Sequence, residues 1–192
     1  MSTALKKRLY TVSEYQQLGQ LGFFKPGERL ELIEGEVVLM SPISGAHARV
    51  LNKLVKLMSG WTDLEITLSI QNPLLLPKSL PQPDLVLLRS ASDDKDDVPA
   101  SHDALLVVEV CDTTYAADRD FKLPIYAGES IPEVWLLNLP ERTIEVHSQP
   151  DPVEHVYTDC RKYEADKSEP ITFRGHSLVV ADVLKPVMNA AT

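Results

Sequence analysis

At 192 residues, with 44% hydrophobic and 24% charged side chains, the chain is sized for one compact α/β domain and is neither disordered nor fibrous in composition. A net charge of −9, from 19 Lys and Arg against 28 Asp and Glu, argues against tight, sequence-blind binding to nucleic acid; a local basic groove drawn from Lys53, Lys56, Arg89, Arg119 and Lys122 remains compatible with it. Two cysteines, Cys111 and Cys160, exclude a disulfide framework and are too few for a structural zinc site, and no stretch reaches membrane-spanning length, so the expectation is a cytoplasmic chain away from membranes.

The basic cluster at residues 1–8 has no apolar segment behind it and does not read as a signal peptide. Thr11 and Glu14 have capping-box spacing, which predicts a short helix ending near Leu18. Gly19, Gly22, Pro26 and Gly27 then mark a loop. Residues 29–40 predict a hairpin turning at Glu34-Gly35, with Leu30, Leu32 and Glu34 on one face and Glu31 and Ile33 on the other. From 46 to 60, apolar positions 50, 51, 54, 55 and 58 keep helical spacing. His47 falls on that stripe; a packed, hydrogen-bonded core histidine is the plain reading of such a position.

Residues 64–70 alternate as a strand should and lead past Asn72-Pro73 toward a second strand. Pro81 and Pro83 cannot donate to a ladder, so that strand begins at Asp84 and holds its carboxylate at a strand end. A turn or strand-start role accounts for such an acid when it stands alone. Residues 92–97 form an acidic run without the glycine and terminal glutamate of a calcium loop, hence a solvated turn.

The apolar run at residues 105–111 suits a strand covered on both faces, yet Glu109 interrupts it. An ionised carboxylate there loses hydration worth several kcal/mol unless a cation, a metal or strong donors replace the water. The competing reading is a solvent-facing edge position or a structural ion pair. Asp112, Thr113 and Thr114 can cap the following helix, on which Asp118 and Lys122 are one turn apart and Tyr115, Arg119, Lys122 and Tyr126 share a face. A surface ion pair with Asp118 is the plain account of Lys122. Pro124 withholds the partner of the Asp120 carbonyl, so the helix should kink or tighten.

Residues 133–139 predict a core strand parallel to the Glu109 strand, because a helix links the two. Residues 143–147, 153–157 and 171–173 read as short antiparallel strands separated by Pro150, Pro152 and Pro170, an edge through which a homodimer could pair. His102, His147, His155 and His176 show no metal-ligand spacing. No phosphate-binding loop, dinucleotide fingerprint or nucleophile elbow is present.

Pro83-Asp84, Glu109-Val110-Cys111, the run from Asp112 through Asp118, Lys122 and Tyr126, and the strand entry Ile131-Pro132-Glu133-Val134-Trp135 together resemble a bacterial family of small restriction-endonuclease-like proteins in the PD-(D/E)XK nuclease superfamily. The resemblance covers residues 10–147. It implies a restriction-endonuclease-like α/β (α+β) fold, a mixed sheet flanked by helices with an N-terminal hairpin and extra C-terminal antiparallel strands. It also implies Mg²⁺ or Mn²⁺ as cofactor, with Asp84, Glu109 and the Val110 backbone carbonyl as ligands, Lys122 near the scissile phosphate, and Glu31, His47, Asp118 and Tyr126 as supporting groups. The superfamily's lysine two residues after the glutamate is Cys111 in this chain, and the resemblance implies that Lys122, thirteen positions after Glu109 (122 − 109), substitutes from the following helix.

The function expected on these grounds is a metal-dependent DNA endonuclease. Its competitors are an inert nuclease-fold binding or regulatory module and a phosphoesterase acting on something other than DNA.

Overall fold

The computed structural model describes residues 7–63, 65–90 and 97–184; most of the acidic run at 92–97 and of the basic cluster at 1–8 lies outside them, as does Leu64. Helix α1 (Val12–Gln20) starts on the expected capping box: the Glu14 amide donates to Thr11 Oγ1 at 3.2 Å and the Thr11 amide to Glu14 Oε2 at 2.9 Å. It runs two residues past the predicted Leu18. Strands β1 (Leu30–Ile33) and β2 (Glu36–Leu39) form the hairpin, and its turn places both Glu34 (φ 47°) and Gly35 (φ 80°) in the left-handed region. A Cβ at Gly35 would stand 2.9 Å from Leu9 Cβ, so the packing of the preceding segment also requires glycine. Glu31 and Leu32 point to opposite sides of this hairpin and are both buried, since Leu32 bridges to Leu80 while Glu31 accepts from the Gln82 amide.

Helix α2 (Gly45–Met58) follows, capped by Ser44, and buries Val50, Leu51, Leu54 and Met58 as its stripe predicts. The main sheet then has its strands side by side in chain order: β3 (Ile66–Ile70), β4 (Leu85–Arg89), β5 (Ala104–Cys111), β6 (Glu133–Asn138), β7 (Thr143–Asp151) and β8 (Val156–Glu164). Every pairing is antiparallel except β5 with β6, the pair joined by a helical crossover. Between β4 and β5 the register slips after Leu87, which opposes Leu106, because Leu88 opposes Ala104 and Leu105 is left over as a bulge. Strands β9 (Pro170–Phe173) and β10 (His176–Val179) pair separately, and helix α5 (Val180–Leu184) follows them. No helix among the described residues is long and apolar enough to cross a membrane.

The mixed, helix-flanked sheet is the one expected, with two corrections. The C-terminal strands are longer than predicted: β7 passes through Pro150, and residues 153–155 belong to the turn before β8 rather than to a strand. Pro150 is tolerated because β6 pairs with β7 only as far as Ser148, so position 150 has a neighbour on one side alone, Tyr157 of β8. The crossover helix does not tighten before Pro124 but widens. Helix α3 (Tyr115–Ala117) passes through a π turn (Asp118–Lys122) into α4 (Leu123–Gly128). The wider turn re-routes the carbonyls that a proline would otherwise strand.

Candidate active site

Strand parity places residues 84, 86 and 88 on the same side of the sheet as 107, 109 and 111, so Asp84 and Glu109 share a face by construction. Strand β4 has begun only at Leu85, and its carboxylate forerunner takes over the ladder: the Val110 amide donates to Asp84 Oδ2 at 2.8 Å. Gln71 donates to Asp84 Oδ1 at 3.2 Å, and the opening turn of α2 brings His47 Nε2 within 3.0 Å of the same oxygen. That last contact lacks hydrogen-bond alignment, so the buried Nε2 has no hydrogen-bond partner, and it becomes an ion pair when the imidazole is protonated. Ser44 holds the helix start in place by accepting from the His47 amide at 3.1 Å and donating to Asp112 Oδ2 at 2.6 Å. Asp112 therefore binds the N-terminus of α2 rather than capping the crossover helix, and Thr114, at that helix's N-cap, makes no side-chain cap bond.

Glu109 Oε1 accepts from the Tyr126 hydroxyl at 2.7 Å and from Lys122 Nζ at 3.4 Å. The same ammonium lies 3.1 Å from Glu31 Oε1 and 3.6 Å from Asp118 Oδ1. The widened turn does this: it rotates Lys122 and Tyr126 inward together, while Arg119 turns out to Asp120 and Tyr115 toward β7. The single face predicted for Tyr115, Arg119, Lys122 and Tyr126 is thus divided. Cys111, where the superfamily carries its lysine, is fully buried in the apolar layer under the crossover helix, and an amine there would have no water to reach.

Burial pushes Glu109 well above the ordinary carboxyl range; Lys122 opposes this, and Asp118, Asp84 and Glu31 add to it. Burial alone would lower Lys122, but Glu109, Glu31 and Asp118 outweigh it and hold the ammonium above its usual value. The Tyr126 phenol is raised by burial and then by Glu109 and Glu31, so it remains a donor. Asp84 raises His47 against the lowering effect of burial.

Glu31, His47, Asp84, Glu109, Asp118 and Lys122 line a cleft of about 710 Å³, with Tyr126 buried behind them. Eight acids face it (Glu31, Glu34, Glu36, Asp84, Glu109, Asp112, Asp118 and Asp120) against Lys7, Arg29, Lys122 and His47. Of the five cations that composition allowed as a basic groove, only Lys122 is in this lining; Lys53 instead donates to the Val183 carbonyl at 3.2 Å. The lining also includes exposed apolar side chains, Val38, Leu39, Ile43 and Phe121. Among the sequence-derived candidates, Glu31, His47, Asp84, Glu109, Asp118, Lys122 and Tyr126 come together in one connected cluster. Sequence reading missed Gln71 and Gln82, whose only signal is proximity to Asp84 in the chain. Hard oxygen donors with too few cations among them are suited to a divalent ion.

A model of the Uma2 family, described as "Putative restriction endonuclease", matches residues 12–181. The chain is also similar in structure to a crystal structure described as a "putative nuclease" from Anabaena variabilis, with a TM-score of 0.66 and 13% identity over 91% of this chain and 97% of that one. At that identity the likeness speaks for the fold alone. No curated protein matches the sequence.

Proposed function

The chain belongs to the Uma2 family and has a nuclease-like fold, and we propose that it is a divalent-metal-dependent endonuclease hydrolysing phosphodiester bonds in DNA. One observation carries the reading. Four carboxyl groups, Glu31, Asp84, Glu109 and Asp118, are 4%, 8%, 3% and 5% exposed, and the basic groups in direct contact with them among the described residues are Lys122 and His47. Four near-buried carboxyl groups cannot all be ionised beside one ammonium and one imidazole without a cost of several kcal/mol, which is why Glu109 is driven toward its protonated form; a further cation in the cleft would take the place of that proton. The donors are hard oxygens, which fit Mg²⁺ or Mn²⁺.

Asp84, Glu109 and the Val110 carbonyl would hold the ion. When bound it acts as a Lewis acid and lowers the pKa of a coordinated water. The protein's own groups do the rest. Tyr126 and Lys122 fix the Glu109 side chain by donating to its Oε1. The Val110 amide fixes one oxygen of Asp84 in the same way. Lys122, kept charged by three acids, supplies an ammonium that can orient water or stabilise negative charge on a phosphate oxygen.

Incubation of supercoiled plasmid with the purified chain and Mn²⁺ should produce nicked and linear forms. Asp84→Ala and Glu109→Ala should each abolish them, and cleavage that persists in both would reject the assignment. The acidic lining of the cleft favours a second reading, a nuclease-fold module that binds without turnover. Calorimetry separates the two, because absence of heat at millimolar Mg²⁺ or Mn²⁺ fits only the inert module.

A further inference from the structure

On the same side of the sheet, at its far end, β7 and β8 assemble a second group of donors that the nuclease reading does not use. Glu145 and His147 are two residues apart on β7 and so face the same way. The β7–β8 register sets Cys160 directly opposite His147, which brings the thiol to that face as well. His147 Nε2 is 3.4 Å from Glu145 Oε2 and 3.8 Å from Cys160 Sγ, and the ligand atoms of the three side chains lie within 4.8 Å of one another. Zinc bond lengths at a tetrahedral angle require about 3.4 Å between nitrogen and oxygen and about 3.6 Å between nitrogen and sulfur. The two distances from His147 Nε2 come within about 0.2 Å of that requirement, and the oxygen and sulfur, which lie within 4.8 Å of each other, close on one ion by side-chain rotation of the exposed cysteine.

We propose that Glu145, His147 and Cys160 form a binding site for a zinc-type divalent cation, three protein ligands with water in the fourth position. A thiolate and an imidazole select a borderline-soft ion over the Mg²⁺ or Mn²⁺ suited to the cleft. Entry is open, because Cys160 is exposed while the Glu145 and His147 side chains are only 12% and 10% exposed. Glu145 is already oriented: the Tyr115 hydroxyl donates to its two oxygens at 2.8 and 2.9 Å, the kind of outer contact that accompanies metal-bound carboxylates. Lys162 stands 3.8 Å from Glu145 Oε1 but is drawn to Glu141 at 2.6 Å, leaving Oε2 to face the histidine. Binding releases the Cys160 thiol proton to solvent as the sulfur–metal bond forms. Since Tyr115 opens the crossover helix that carries Lys122, an ion there would tie the outer hairpin to the segment holding the cleft lysine. This proposal is independent of the nuclease reading.

Cobalt reports on the site directly. Adding Co²⁺ to the full chain should produce thiolate-to-metal charge transfer in the near ultraviolet together with the intense visible bands of a four-coordinate ion, and Zn²⁺ should displace both. Cys160→Ser should abolish the charge-transfer band, Cys111→Ser should leave it intact, and Tyr115→Phe should weaken binding about tenfold. A wild-type chain that shows no such band at saturating Co²⁺, or a band that survives Cys160→Ser, overturns the proposal. The wild-type measurement decides even if a variant misfolds.

Discussion

The two faces of the six-stranded sheet are covered by different chemistry. Toward α2 and α5 the strands present Leu85, Leu87, Leu106, Val108, Val110, Trp135, Leu137, Ile144 and Val146, with Glu133 at the strand entry accepting from the Trp135 indole at 2.6 Å. Toward the crossover helix, Val86, Val107, Cys111, Val134 and Leu136 alternate with Asp84, Glu109, Glu145 and His147. The first face gains from burial at about 25 cal/mol per Å² of apolar surface. The second gives up part of that gain by desolvating charges, which is how a binding site is set into a core. Stability and proposed chemistry are therefore assigned to opposite sides of one sheet, and substitutions should separate them.

The largest loss of stability is expected on the apolar face. Trp135 is fully buried and packs edge-on against Trp61 at 6.1 Å. Trp135→Ala should cost about 3–5 kcal/mol in urea unfolding, with an unchanged slope of stability against urea. Lys122→Ala acts on the other face, leaving Glu31, Glu109 and Asp118 facing one another without their shared cation. It should cost about 3 kcal/mol at neutral pH, and added Mg²⁺ should recover part of the loss if the cleft takes the ion.

The smallest of the three effects has the opposite sign. Burial raises Glu109 above its unfolded value, so as pH rises through the ordinary glutamate range the unfolded chain releases a proton that the folded chain keeps. Stability from this group is full in acid and falls with rising pH until the raised value is passed. Glu109→Gln should therefore gain on the order of 1 kcal/mol at neutral pH, a gain that shrinks on acidification, while eliminating cleavage. Thermal unfolding across pH checks this; a Gln variant less stable than wild type at neutral pH would show that Lys122 and Tyr126 more than offset the desolvation of Glu109.

Much of this was readable in the chain. Local signals sufficed for the α1 capping box, the Glu34-Gly35 turn, the buried stripe of α2 and the parallel pairing of β5 with β6, because each rests on backbone rules acting over a few residues. Glu109 stood out because a charge in an apolar strand has few explanations, and Asp84 because a second acid at a strand end joined it in the pattern of the family resemblance. Pro150 misled because the cost of a missing amide depends on whether a strand lies on that side, which is a property of the sheet. Pro124 misled because a helix has two ways to absorb a proline, and the widened one brings Lys122 and Tyr126 to Glu109 together.

His147 shows the limit most clearly. No metal-ligand spacing surrounds it in the sequence, yet antiparallel register sets it against Cys160, thirteen residues on (160 − 147). By itself the sequence determined most of the central elements and the acids that burial would strain, since periodicity and desolvation operate along the chain, while the nuclease-like fold was legible through the family resemblance. Tertiary structure alone decided which anions share Lys122, which way the crossover helix turns, and that Glu145, His147 and Cys160 meet. Those outcomes depend on distances between strands and helices far apart in sequence, which no local pattern encodes.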